Sequence, residues 1–366
     1  MREPMREPDN TVPRPDHSEQ KRRSERSAAI EAFATEFLAG PNQDLLAEFM
    51  VTLCRLAADD ADRGDVKLMN KAFAELRYAL KVFTPYTETR KISIFGSSRT
   101  PEDHPDYLQA ELFARKMCEN GWMVITGAGD GIMKAGHGGA GREPSFGLAI
   151  RLPFEQKTNT IIQDDEKLVN FRYFFTRKLM FMKASSSIAL FPGGFGTQDE
   201  GFEALTLIQT GKAPIIPLVM LEQPGGTYWL QWRAYVAAEL LRTGMISEED
   251  MYLFRITDDA DVAVNEVVQF YRVYHSMRYV GDELVLRLRQ RVSKATLERL
   301  NDEFGEIVTT GAIEQCDMLP AEGGELPNMP RIRLRFDRKS CGRLRRCIDL
   351  INAEPMAGDV PDSGSK

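Results

Sequence analysis

From Lys91 onward the sequence alternates short apolar runs with stretches of helical period, and this alternation limits the folds open to the chain more than any other feature. Residues 91–96 (KISIFG), 123–127 (MVITG), 146–152 (FGLAIRL), 187–191 (SIALF) and 214–220 (PIIPLVM) read as strands. Between and after them, Ala110, Phe113, Ala114 and Met117 mark one helix. Trp229, Trp232, Val236 and Leu240 mark another, and Val264, Val267, Val268 and Tyr271 a third. Strands that alternate with helices belong in a parallel sheet covered on both faces. The expectation is an α/β fold, a Rossmann-like doubly wound parallel sheet spanning about 86–274, with a helical N-terminal extension and a small α/β C-terminal extension.

The flanks read differently. Residues 1–27 duplicate MREP and are rich in Pro, Arg, Glu and Ser, so a disordered tail is expected. Over 28–85 the apolar positions Leu46, Phe49, Met50 and Leu53, then Met69, Ala72, Phe73, Leu76, Leu80 and Phe83, recur at helical spacing. Beyond 275 a basic α/β unit is expected to run to 353. It holds a strand at 283–292, a helix carrying Leu297, Leu300 and Phe304, a strand at 331–336 and a last helix with Leu344 and Ile348. A mobile tail is expected over 354–366.

Composition excludes several classes. With 43% apolar and 28% charged residues the chain is neither collagen-like nor disordered. Five cysteines, odd in number and without CxxC spacing, argue against a disulfide framework or a zinc site and for reduced thiols in the cytoplasm. No metal site is expected. The N-terminus lacks the apolar core of a signal peptide, and the most apolar stretch, 213–221, is short and broken by Pro214 and Pro217, so no membrane partner is expected. Eight basic residues and one acid give 331–346 a charge of +7, leaving −14 on the rest of a chain whose net charge is −7. Three readings of this segment stand open: an exposed strand face whose charges discourage edge pairing, an anionic effector site, or a subunit contact. Nucleic acid fits poorly, because no aromatics interleave the cluster.

The chemistry concentrates where a strand meets a helix. Residues 191–200 (FPGGFGTQDE) place Gly193, Gly194, Gly196 and Thr197 after an apolar run and before a helix, as a phosphate cradle does. The competing reading is a capping box, with Thr197 capping and Glu200 three residues on. Residues 126–133 (TGAGDGIM), with Gly127, Gly129, Gly131 and Met133, form a second glycine-rich turn, and Gly96, Ser97 and Ser98 a third. Such loops gather at the C-terminal ends of parallel strands, which implies one nucleotide-sized site. A dinucleotide site is disfavoured, since 127–131 spells GxGxG and Arg151 stands where the ribose-binding acid belongs. A GxxxxGK[ST] loop is lacking. Arg177 and Lys178 lie on a helix over 171–186 leading into this site, although basic helix residues are often simply solvated.

Arg177-Lys178, the PGGFGTQDE run and residues 202–212 (FEALTLIQTGK) together resemble the LOG (Lonely Guy) family of cytokinin-activating phosphoribohydrolases, long labelled lysine decarboxylases. Every specified position of the family's PGGxGTxxE motif is matched from Pro192 to Glu200. GSS at 96–98, TGxGxGIM at 126–133 and LPxEQxxN at 152–159 look like further family landmarks, and the resemblance covers about 90–275. It implies hydrolysis of the N-glycosidic bond of a nucleoside 5′-monophosphate, releasing free base and ribose 5-phosphate, in a homo-oligomer that needs no cofactor. By resemblance Arg177 and Glu200 are the catalytic pair, and Gly193, Gly194, Gly196 and Thr197 the phosphate loop. Glu200 would stabilise positive charge at the ribosyl carbon and orient or deprotonate water, while Arg177, always protonated, would position ribose or phosphate oxygens.

The sequence departs from the family at Ala128 (usually glycine), Asp130 (proline), Lys134 (an acid) and His137 (asparagine), which leaves substrate preference open. His137 is either a proton donor or an ordinary polar residue. The alternative function is a nucleotide or molybdenum-cofactor carrier of the same fold, against which the retention of Arg177 with Glu200 speaks. Lysine decarboxylation would need a pyridoxal-binding lysine, and no segment argues for one.

Overall fold

The computed structural model of the chain describes residues 17–37, 40–152 and 158–355. These fall into two units, one ending at Phe73 and one beginning at Ala74. The first holds helices α1 (His17–Phe37) and α2 (Gln43–Ala58) and the start of α3 (Arg63–Phe83). Helix α1 begins inside the stretch expected to be disordered. Its Glu, Gln, Lys, Arg and Ala residues are strong helix formers, so a low apolar content argued against a core there but not against a helix. The rest of that stretch, 1–16, lies outside the described residues. The apolar stripe of α2 is helical as its spacing predicts, but Leu46, Phe49 and Leu53 remain exposed.

The second unit begins within α3, whose last turns supply Ala79 and Phe83 to its core, with the Phe83 ring stacked on Phe146. Then follow β1 (Lys91–Phe95), α4 (Pro105–Glu119), β2 (Met123–Thr126), α5 (Ile132–Ala140), β3 (Ser145–Ile150), β4 (Leu168–Phe171) and α6 (Phe174–Ala184). The series continues with β5 (Ser187–Leu190), α7 (Phe195–Gln209), β6 (Leu218–Leu221), α8 (Tyr228–Tyr235), β7 (Arg255–Thr257) and α9 (Ala260–Phe270). Seven strands form one parallel sheet in the order β4-β3-β2-β1-β5-β6-β7. The central strands are buried along their whole length, as a sheet covered on both faces requires. The sixth strand starts at Leu218, later than expected. Pro217 brings no N–H to the ladder, and its carbonyl instead accepts from Ile188 N–H and Ser187 Oγ–H.

The chain continues through β8 (Tyr274–Val280), β9 (Glu283–Leu288), α10 (Lys294–Phe304), β10 (Glu314–Cys316), β11 (Arg331–Leu334) and α11 (Cys341–Asn352). Strands β8 to β11 make an antiparallel sheet in the order β10-β11-β9-β8. Its core is continuous with that of the parallel sheet, so the basic C-terminal part and the α/β part form one unit. Glu354 and Pro355, expected in a mobile tail, are fixed: Glu354 is buried and accepts from Ser293 N–H, and Pro355 C=O accepts from Gln290. Residues 356–366 lie outside the described residues.

The basic segment corrects one reading. Strand β11 lies inside the sheet between β10 and β9, so it is not an edge guarded by charge. Its Arg331 is completely buried against Glu322, and Arg287 of β9 is buried against the same carboxylate. Arg333 pairs with Glu314, Arg343 with Glu306, and Arg345 with Glu266 and Asp349. Four of the segment's eight basic residues are thus paired with carboxylates from outside it.

Candidate active site

The sheet order reverses at β1, which pairs with β2 on one side and with β5 on the other. Loops leaving β1 and β5 therefore diverge to opposite faces and open a crevice at the strands' C-terminal ends, the switch point where open α/β sheets bind ligands. A cavity of about 860 Å³ occupies this crevice. Its wall combines Gly96, Ser97, Ser98 and Arg99 after β1, Gly127, Gly129 and Met133 after β2, and Arg177 of α6. Gly193, Gly194, Gly196, Thr197 and Glu200 complete it after β5. The volume lies within the 300–1,000 Å³ typical of small-molecule sites.

Helix α7 starts at Phe195 with Gly194 as its N-cap and no side-chain cap. Thr197 thus already sits in the first turn and Glu200 beyond it, so the capping-box reading does not hold. The first intrahelical bond runs from Gln198 N–H to Gly194 C=O, 3.1 Å, and the N–H groups of Phe195, Gly196 and Thr197 precede it. These amides and the positive end of the helix dipole face the cavity as an anion site does. Glycine is required at 193: a Cβ there would lie 2.1 Å from Thr197 Oγ1 and 2.9 Å from the backbone nitrogen of Ser97.

Arg177 and Glu200 approach from separate helices. The Arg177 guanidinium lies over the Phe181 ring, 5.3 Å from its centroid, and its buried Nε has no hydrogen-bond partner among the described residues. Burial lowers its pKa, and the charge of Glu200 partly restores it. A buried donor without an acceptor is destabilising unless something else takes the bond. Glu200 is pushed above the ordinary glutamate pKa by burial, against the pull of Lys178 and Arg177. Lys178 lies outside the cavity wall and pairs with Glu203 at 2.7 Å, Asp199 at 2.9 Å and Glu200 at 3.5 Å. Burial pulls the Lys178 ammonium down, but its acidic partners outweigh that and leave it above the ordinary lysine value.

Two other expected site residues serve the frame. Gly131 is absent from the cavity wall; it adopts φ +61°, and a Cβ would meet Ser97 O at 2.3 Å, so it seats the second loop against the first. His137 is fully buried. Its Nε2 lies 3.0 Å from Phe146 O and 3.1 Å from Thr126 Oγ1, and its Nδ1 3.2 Å from Asn159 Nδ2. Phe146 O can only accept, so Nε2 carries a proton, and Nδ1 faces the Asn159 amide, 3.3 Å from its Oδ1. Burial lowers its pKa, and it does not reach the cavity as a proton donor. Asn159 in turn binds Gly129 O and Ala128 O. Ala128, where the family usually has glycine, takes φ +62° while its methyl is buried beside Ala149 and Ile162. Of the 152–159 landmark, residues 153–157 lie outside the described residues, and Leu152 lines the cavity.

Sequence reasoning missed part of the wall: Phe95, Arg99, Ile150, Phe174, Phe195, Gln198, Asp199 and Tyr228. Gln198 and Asp199 lie inside the recognised motif at its unspecified positions. Tyr228 comes from α8, and nothing local in the sequence ties it to this loop.

The family model described as "Possible lysine decarboxylase" matches residues 128–267. A comparison with curated proteins finds no match. Among solved structures, the molybdenum cofactor carrier protein of Chlamydomonas reinhardtii is 18% identical, over 50% of this chain and 97% of that one, with a TM-score of 0.34. The molybdenum cofactor binding protein of the phototrophic bacterium Rippkaea orientalis is 16% identical, over 50% and 96%, with a TM-score of 0.36. DNA processing protein A from Helicobacter pylori is 16% identical, over 50% and 82%, with a TM-score of 0.35. At these scores the structural likenesses carry no functional argument.

Proposed function

Since residues 128–267 form a domain of that family, the one the LOG motifs mark, we propose that the chain hydrolyses the N-glycosidic bond of nucleoside 5′-monophosphates. One observation carries the reading: a single cavity at the sheet's switch point brings the open N-terminus of α7 together with Arg177 and Glu200. Among the described residues of its wall none is a lysine, so the decarboxylase wording of the family description finds no pyridoxal-anchoring amine there.

The substrate's phosphate would sit on the amides of 194–197, spending remote binding energy on the placement of the ribosyl carbon. Glu200 lies one helical turn further along α7. As C1′–N stretches, the ribosyl carbon gains positive charge, which a carboxylate in a poorly solvated site stabilises. A pKa raised by burial also brings Glu200 closer to the working pH as a base for water. Water gives its oxygen and one hydrogen to C1′ as a hydroxyl, the C1′–N bonding pair leaves with the base, and the water's other proton, taken first by Glu200, ends on the base, so the products are free base and ribose 5-phosphate. Arg177 Nε, without a partner among the described residues, offers a donor for a ribose or phosphate oxygen.

Incubation with AMP, GMP, CMP and isopentenyl-AMP, followed by assay of ribose 5-phosphate, tests the proposal. Release from at least one of them is expected. Bound nucleotide without release from any would replace it with the carrier reading.

A further inference from the structure

Tyr228 stands at the first turn of α8, 35 residues from the glycine run, yet its phenol donates to Gly193 C=O at 2.6 Å. Gln198 Nε2 donates in turn to the Tyr228 hydroxyl, 2.7 Å. Once the phenol oxygen accepts from Gln198, its own proton is directed at Gly193, and the chain of bonds runs one way, from amide to phenol to carbonyl. The residue is itself anchored. Glu222, buried at the end of β6, accepts from the backbone N–H groups of Tyr228 at 2.8 Å and Trp229 at 3.1 Å. A strand adjacent to β5 thereby fixes the height at which the phenol meets the loop.

A trans peptide is planar, with its C=O and N–H pointing in opposite directions. Holding the Gly193 carbonyl toward Tyr228 therefore turns the Gly194 N–H the other way, and no acceptor among the described residues takes it. The preceding peptide is fixed by the same logic, because Pro192 C=O accepts from Ser97 N–H at 3.1 Å. Glycine has the freedom to flip such a peptide, and a flip at 193–194 would present a carbonyl oxygen where an anion binds. We propose that Tyr228 is a positioning residue of the phosphate cradle: its hydroxyl holds the Gly193–Gly194 peptide in the orientation that offers the Gly194 N–H to the substrate's phosphate. The inference rests on the phosphate-cradle part of the reading above, and not on the hydrolytic step.

The test compares Tyr228→Phe with the wild-type full chain. Binding of ribose 5-phosphate and of inorganic phosphate is measured by calorimetry, together with kcat and KM for the best nucleotide. Loss of one aligned donor to a charged group is expected to weaken ribose 5-phosphate about tenfold, equivalent to about 1.4 kcal/mol. KM should rise by a similar factor with kcat within about threefold. A merely structural role would instead lower the active fraction, and with it kcat, at unchanged KM. Should Tyr228→Phe fail to fold, Gln198→Leu removes the donor that aims the phenol and is expected to weaken binding about threefold. Unchanged affinity for both anions in whichever variant folds overturns the proposal, as does a wild-type chain that binds neither. If the wild type binds ribose 5-phosphate but hydrolyses nothing, the nucleosidase reading fails and the comparison of affinities still decides this one.

Discussion

Replacing Glu322 with alanine should destabilise the protein more than any change on its charged surface. The Glu322 side chain is fully buried in the turn before β11. Its Oε1 accepts from Arg287 Nε at 3.0 Å and Nη2 at 2.9 Å, and its Oε2 from Arg331 Nε at 3.1 Å and Leu319 N–H at 3.0 Å. Burial alone would raise its pKa, but the bonds from Arg331, Leu319 and Arg287 hold it below the ordinary glutamate value. Without the carboxylate, Arg331 keeps the carbonyls of Leu326 and Glu325 but has no counter-charge, while Arg287 retains Glu325 at 2.8 Å. Leaving one buried cation uncompensated costs about 3–5 kcal/mol. In a unit of this size that is a fall in Tm of about 6–10 °C, at about 2 °C per kcal/mol. Glu322→Gln keeps an acceptor and should lose less. Circular-dichroism melts at neutral pH measure both, with Glu306→Ala as the control, since Glu306 is exposed and its pair with the half-buried Arg343 is worth about 1 kcal/mol or less. A fall of under about 2 °C for Glu322→Ala would refute the argument that this carboxylate neutralises the buried arginines.

Other outcomes follow from the site. Gly193→Ala drives a methyl into Thr197 and the Ser97 backbone and should lower both Tm and activity, the latter by about 100-fold for a displacement near 1 Å. Gly194→Ala meets nothing within 4 Å, so its Tm should hold while activity falls. His137 is buried neutral with a folded pKa below 6.5, so between the two values the unfolded chain binds more protons and stability drops as pH falls through about 6.5. His275, drawn down to about 4 by burial and by Arg90, Arg289 and Arg287, acts in the same sense. The comparison is therefore between wild type and His137→Asn in urea melts from pH 7 to 5: the variant should lose less stability over that range, and equal losses would contradict the assignment.

How much of this was legible in the sequence varied with how local the cause was. The runs over 91–95 and 187–190 announce central strands because every residue is buried, whereas β4 and β7 at the sheet's edges carry no such signature and went unread. Glycine spacing around 193–197 exposed the cradle, since its geometry is set by adjacent residues. Tyr228 and the partners of the basic segment were not legible. They depend on groups brought together by the fold: Gly193 and Tyr228 across 35 positions, Arg345 and Glu266 across 79. Counting charge over 331–346 suggested a surface patch because a sequence window cannot show acids that arrive from other elements.

The most direct measurement is ribose 5-phosphate release by Glu200→Gln beside wild type, across pH and alongside thermal melts. The kcat of the variant is expected to fall by about 10²–10⁴ while ribose 5-phosphate still binds. Its Tm at neutral pH should hold or rise, because a carboxylate whose folded pKa is raised by burial is a group whose ionisation the fold disfavours. The wild-type rate should fall on the acid side above the 4.5 of an ordinary glutamate. Retention of the wild-type kcat by a folded Glu200→Gln would contradict the assignment of this carboxylate to the cleavage step.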